Sequence, residues 1–178
     1  METLALILST LGFISVTTAS LIKGKRMKLI LFLVCCANIL YATSYVLQGK
    51  GINGAASCYL GGLLAIVNYL FDAKGKAVPK WLAGVYAVAF IAVNVIFGTE
   101  VLATVIAIAA TMCFVASIGV PNGAKYRFWT TLNLLLWISF DLVTHSDGTI
   151  YAHALQLTGN VIGMIIYDRK AKAAEAAK

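Results

Sequence analysis

Few side chains in this 178-residue sequence are equipped for chemistry, and most of those lie in apolar surroundings. Asp141 is the one carboxylate that falls neither at a terminus nor in an evident connecting segment. It follows Asn133 and Trp137 at intervals of four, which sets the three along one face of a helix. His153, Gln156 and Asn160 recur at i, i+3 and i+7, a second such face. Asn38, Tyr41 and Tyr45 form a third, and Ser57, Gly61 and Asn68 a fourth.

The chemistry these residues offer is recognition more than reaction. Amides hydrogen-bond the edges of a polar solute while Trp137 and the tyrosines cover its faces. No Lys or Arg falls inside the apolar segments, so nothing there neutralises a phosphate, and a strongly anionic ligand is disfavoured. Asp141, partnered by His153, is a candidate for coupling a proton or cation to the solute. Its other reading is a water-facing cap near the end of its helix, and His145 reads as solvated loop. The amides have a plainer reading too, as polar glue between helices. Asn68 and Asn160 are favoured as solute ligands over Asn38, Asn94 and Asn133, because they recur at corresponding places in a repeat described below.

The acidic residues are scattered, and Cys35, Cys36, Cys58 and Cys113 lack the paired spacing of a zinc site or a disulfide framework. The cysteines read as small packing residues. No catalytic residue, cofactor or metal is expected, and the chain is not expected to be an enzyme.

The elements that position these faces follow from composition. The sequence is 61% hydrophobic and only 12% charged, against the roughly 25% charged of a soluble domain. Apolar runs of spanning length occur at about 3 to 22, 29 to 47, 52 to 72, 81 to 97, 101 to 118, 128 to 144 and 149 to 167. Between Trp81 and Gly119 only Gly98-Thr99-Glu100 interrupts the apolar pattern. That stretch is too long for one crossing, so it must turn at Gly98. The first run lacks a basic leader before it and a small-residue cleavage site after it, which reads as an anchor.

Charge tests this count. Seven crossings put thirteen of the fourteen basic residues on one side, leaving only Lys50 on the other. The basic side is cytoplasmic by the positive-inside rule, so the N-terminus is expected outside and the C-terminus inside. Topology therefore accounts for the net charge of +7, and nucleic acid is not an expected partner. The expected partners are a small solute, the lipid bilayer and a possible second copy of the chain.

Asn38-Ile-Leu-Tyr41 through Asn68 to Phe71-Asp72-Ala-Lys74 is echoed by Asn133-Leu134, Trp137, Asp141, Asn160 and Tyr167-Asp168-Arg169-Lys170. The second span thus matches the sixth and the third the seventh. A parallel three-plus-one-plus-three repeat follows, with residues 1–76 as the first repeat, 77–99 as a linker helix and 100–170 as the second repeat. Residues 171–178 make a flexible basic tail. Parallel repeats of this kind occur in transporters, with the solute site between the halves. Gly159 and Gly163 form a Gly-x-x-x-Gly, expected to let helices approach closely.

Trp137, a polar residue four positions on at Asp141, then Asn160 and the basic Arg169 together resemble the second half of the YgjV-type family of bacterial inner-membrane proteins. The similarity extends loosely over nearly the whole chain. That family is placed near the SWEET and SemiSWEET sugar transporters and the PnuC vitamin transporters. The resemblance implies an all-α seven-helix membrane fold, N-terminus out, in a bacterial inner membrane, with alternating access around a central site. Asn68 and Asn160 are similar in placement to the paired substrate-facing asparagines of the sugar transporters. The chain departs from that group in two ways. Its only prolines, Pro79 and Pro121, lie in connections and not at hinges in the first helices, and no Trp-rich stripe is present. The expectation is a carrier for a small neutral or weakly charged solute such as a sugar, nucleoside or vitamin. The competing expectation is an accessory or scaffold protein, which a dry interior would favour.

Overall fold

Each of the seven apolar runs forms one helix. A computed structural model describes residues 1–21, 27–76, 78–118 and 123–168. It contains α1 (Glu2–Leu21), α2 (Met27–Gln48), α3 (Ile52–Ala73), α4 (Lys80–Phe97), α5 (Val101–Ile118), α6 (Gly123–Thr144) and α7 (Asp147–Gly163). A π-helical turn, Met164–Asp168, continues α7, and no strand occurs among the described residues. Arg169, Pro121 and the tail 171–178 lie outside them.

Five helices (α1 to α4, and α7 with its π-helical extension) are long and apolar enough to cross a membrane. The apolar part of α5 is slightly shorter, at 17 residues. The 22 residues of α6 extend for about 33 Å at 1.5 Å per residue, and the helix is less apolar because it carries Lys125, Arg127 and Asp141. Large side chains such as Phe32, Val88, Leu102 and Leu142 point outward. In a bilayer that surface is solvated by lipid, so it needs no other partner.

Successive helices pack in chain order, and α7 closes the ring against α1. Helix α3 also touches α5 directly, so α4 sits as a wedge on the α3–α5 seam. Exchanging α1 with α5 and α3 with α7 maps the α7–α1 seam onto the α3–α5 seam. The wedge has no counterpart at the other seam.

Three connections are tight: around Gly49 to Gly51, Gly98 to Glu100, and His145 to Ser146. All three lie at one end of the bundle, called here the short-turn end. Gly51 begins α3 in the left-handed region, at φ 62°, where glycine avoids the strain of a side chain. Three residues on, the Phe140 ring of α6 reaches across to α3, so that a Cβ at Gly54 would lie 2.7 Å from it.

The Gly159–Gly163 pair corrects an expectation. Among the described residues, no atom of another element lies within 4 Å of where a Cβ at Gly159 would be, and at Gly163 only Arg127 Cδ does, at 3.7 Å. This part of α7 is turned outward, so the motif forms no close seam with the other described elements. The close approaches are at Gly54, and at Gly61, where a Cβ would lie 2.7 Å from Asn38 Oδ1.

Gly54→Val should therefore destabilise the fold by about 1–3 kcal/mol through overpacking, whereas Gly159→Ala should not. Thermal unfolding in detergent checks both; equal melting temperatures for the two variants would contradict the close fit of the Phe140 ring against Gly54.

Candidate functional site

The polar residues form two layers. At the short-turn end, Asp141 is 1% exposed and is bonded by two other helices. Tyr45 of α2 donates its hydroxyl to Asp141 Oδ1 at 2.5 Å. His153 Nδ1 of α7 lies 2.7 Å from Asp141 Oδ2. Thr149 Oγ1, also on α7, lies 2.9 Å from Asp141 Oδ1 and 2.9 Å from Ser146 O. Its single proton is shared between those two acceptors. A buried carboxylate without such partners would be strongly unfavourable, so α2, α6 and α7 are held together here.

Further polar contacts surround this cluster. Gly148 N donates to Gln48 Oε1 at 3.0 Å, and the Ser9 hydroxyl donates to Gly148 O. Ser44 Oγ donates to Ala5 O at 2.8 Å, and Lys50 Nζ to His145 O at 3.1 Å. The α1–α2 hairpin is thereby clasped to the α6–α7 turn. Tyr45, Phe140, Ser146 and Thr149 are fully buried at this level, with the Phe140 ring edge-on to Tyr45 and Trp137. The short-turn end is sealed.

Beneath the seal lies a layer of rings. His153 sits between Tyr41, at 5.1 Å, and Trp137, at 6.0 Å and nearly parallel. The same three side chains form one wall of a cavity of about 110 Å³. A single water needs roughly 10–15 Å³, so several waters or a small polar solute fit. The cavity extends past Asn38, Ser57, Asn133 and Gln156 toward Ser117 and Tyr126 at the opposite, basic end. Every helix contributes to its wall: Val16 from α1, Phe90 from α4 and Thr111 from α5 complete the set. Among the described residues that line it, none is a Lys, Arg, Asp or Glu.

The lining is rich in unused hydrogen-bonding capacity. Ser57 Oγ is buried without a protein partner. Asn38 spends its amide NH2 on Val34 O at 2.8 Å, and Asn133 spends its own on Ala110 O at 2.8 Å. Their carbonyl oxygens remain available as acceptors. Tyr41 and Gln156 approach each other only at 3.5 Å. Cys58 lies in the same wall, and all four cysteines are free thiols.

Eight of the residues singled out from sequence therefore share the cavity: Asn38, Tyr41, Ser57, Gly61, Asn133, Trp137, His153 and Gln156. Tyr45 and Asp141 lie just beyond it in the seal. Asn68 and Asn160 do not line it, against the expectation that they would be its principal ligands. Asn68 accepts a hydrogen bond from Tyr86 of α4 at 2.9 Å. Asn160 donates to Arg127 O at 3.0 Å and to Thr131 Oγ1 at 2.8 Å, both on α6. The wedge α4 explains their unlike bonding, since it packs beside α3 and has no equivalent beside α7. The repeat-related pair that does meet at the cavity is Asn38 with Asn133.

Asp141 is no water-facing cap: it is buried and paired with His153. Thr149, Ser44 and Gln48 were missed in the sequence. A signal for Thr149 existed, because it precedes His153 by four residues and Gln156 by seven, on the same face of α7. Ser44 and Gln48 gave none, since they act through backbone groups that only the packed bundle brings near.

Geometry and composition together define a polytopic helical membrane protein with a sealed end and an internal polar cavity. The chain belongs to the Imp-YgjV family of bacterial inner membrane proteins, whose match covers residues 3–171. No curated protein and no solved structure matches it.

Tyr45→Phe removes a donor from a buried carboxylate and should lower stability by about 1.5–3 kcal/mol. Tyr41→Phe gives up only a 3.5 Å contact and should have little effect. Melting temperatures of the purified variants provide the comparison, and a harmless Tyr45→Phe would contradict the keystone role of Asp141.

Proposed function

We propose that this protein is an alternating-access carrier for a small, uncharged polar solute, of the size and chemistry of a sugar, nucleoside or vitamin fragment. The observation that carries this reading is the cavity between the two halves, lined by amide, hydroxyl and aromatic groups, with Ser57 unpartnered in its wall. Buried hydrogen-bonding groups without protein partners are rare and call for an occupant. An accessory or scaffold protein has no need of such a cavity, and a dry core would serve it better.

The uneven ends support the same reading. One end is sealed by the Asp141 cluster, and the cavity extends from beneath that seal toward the other. By the distribution of basic residues the sealed end faces outward and the cavity extends toward the cytoplasm. The resemblance to the SWEET-like group, whose members move solutes between two such halves, points the same way.

Protein reconstituted in liposomes should accelerate the flux of at least one solute from a panel of neutral sugars, nucleosides and vitamins. Asn38→Ala, Ser57→Ala and Gln156→Ala should each weaken apparent affinity about two- to tenfold, the effect of losing about 0.5–1.5 kcal/mol of hydrogen bonding. Asn68→Ala and Asn160→Ala should lower stability and leave KM unchanged. If no solute in the panel moves or binds, the carrier reading fails.

A further inference from the structure

We propose that the Asp141–His153 pair is a proton-binding site of the sealed end, and that inward solute movement is coupled there to proton entry. This rests on the carrier reading above and names its coupling ion. Three observations carry it. Asp141 is held between α2 and the α6–α7 hairpin by Tyr45, Thr149 and His153. His153 is shared by both layers, bonded through Nδ1 to the carboxylate while its ring forms part of the cavity wall. The seal and the cavity therefore meet at one imidazole, whose two ring nitrogens can take a proton on one side and give one on the other.

The groups facing Asp141 are few. Tyr45 and Tyr41 approach from α2, Cys58 from α3 and His153 from α7. Lys50, the one Lys or Arg of the sequence at that end, is exposed and bonded to His145 O. Among the described residues, His153 is the one basic group within ion-pair distance of Asp141. Both carboxylate oxygens already have protein partners, which leaves little room for a metal cation and favours the proton as the coupling ion.

The sequence of events follows from what the seal requires. While the end is closed, Asp141 accepts from Tyr45 and His153 as a carboxylate, the form best matched to several donors. Opening the end exposes that carboxylate to water, where a proton from outside adds to Oδ2. The protonated carboxyl no longer attracts its donors as an anion does, so the open form is stabilised as pH falls. On closure the Oδ2–H bond breaks, its proton passes to the unprotonated Nδ1, and the proton on Nε2 leaves to water in the cavity. When the end next opens, Nδ1 gives its proton to the outside water that enters and Nε2 takes one from that same water, which restores the Nε2–H tautomer with no net transfer. One proton thus enters per cycle, in the same direction as the solute.

The test needs no knowledge of the solute. In a background with the four native cysteines replaced by alanine, Ser146→Cys places a thiol in the fully buried part of the seal. Thr99→Cys places a reference thiol on the exposed turn at the same end. Labelling by a membrane-impermeant sulfonated maleimide in spheroplasts is then measured from pH 8 to pH 5.5. Relative to the reference, which corrects for thiol ionisation, labelling at Ser146→Cys should rise severalfold as pH falls. Asp141→Asn should make the ratio independent of pH. A ratio that is flat or falls with acidity in the presence of Asp141 would overturn the proposal.

A second measurement guards against a misfolded variant. With Trp81 and Trp129 replaced by Phe, the emission of Trp137, stacked on His153, should change with pH in that range and lose the change in His153→Gln. An emission that does not respond to pH would also overturn it. Flux of a neutral solute that persists alongside a pH-insensitive seal would remove the coupling and leave the carrier reading in place. A pH-sensitive seal in a protein that moves no solute would do the reverse.

Discussion

A single ionisable group, removed from water, sets the terms for the rest of this bundle. Asp141 lies among the fully buried side chains, in a protein whose surroundings offer no water to compensate a lone charge. It is tolerable only while Tyr45, Thr149 and His153 are all near it. Removing a hydrogen-bond partner from a buried charged group typically costs about 1.5–3 kcal/mol. The cluster thus acts as a constraint on geometry: α2, α6 and α7 are held in the one arrangement that satisfies the carboxylate. The hydrogen bonds that join Gln48, Ser9 and Ser44 to backbone groups extend that arrangement to the first hairpin.

Small residues provide the close packing around it. Ala103, Ala107 and Ala110 of α5 are buried at helical spacing, and Asn133 reaches the carbonyl of Ala110 across the α5–α6 contact. Ala37 and Ala42 do similar work on α2, and Ala55 on α3. Without a hydrophobic drive between helices in lipid, such residues gain association from dispersion contacts and short hydrogen bonds. A second group of larger side chains, Leu64, Leu82, Tyr86 and Phe90, fixes α4 to the α3–α5 seam. The side chain of Phe90 also reaches the cavity, so the wedge helix takes part in the wall it braces.

Much of this was legible in the sequence, for reasons that differ from one feature to the next. The seven helices were legible because each is a long apolar run ended by polar residues, and the turn at Gly98-Thr99-Glu100 was forced by length. The pairing of Asp141 with His153 was one of two readings that the sequence left open: the tight turn at His145 and Ser146 makes α6 and α7 antiparallel neighbours, but a water-facing Asp141 near the helix end fitted the pattern as well. The roles of the asparagines were not. Asn68 and Asn160 occupy matching positions in the repeat, but matching positions give matching surroundings only where the neighbours also repeat. Tyr86 of α4 stands beside Asn68, and α4 has no copy. Asn38 and Asn133 lie on α2 and α6, away from the wedge, and there the correspondence survives in three dimensions. The Gly159–Gly163 motif misled for a related reason, since residue spacing reports that a helix face is small and says nothing of whether another helix lies on it.

The two ends of the cavity are closed to different degrees by different physics, and this bears on how such a bundle switches. A seal made of apolar side chains alone opens by degrees, because each contact contributes little and can be lost separately. A seal built on a buried carboxylate is closer to all-or-none. Partial separation of α2 from the α6–α7 hairpin leaves Asp141 without Tyr45 before water can reach it, so intermediate openings are the least favourable states. Complete separation admits water and removes the penalty. The Asp141 cluster therefore gives the short-turn end two distinct states, closed with every partner in place or open and hydrated, and a barrier between them. For the carrier proposed above, that bistability would limit leakage through a partly open short-turn end. It needs no moving part beyond the hairpins that the tight turns already define.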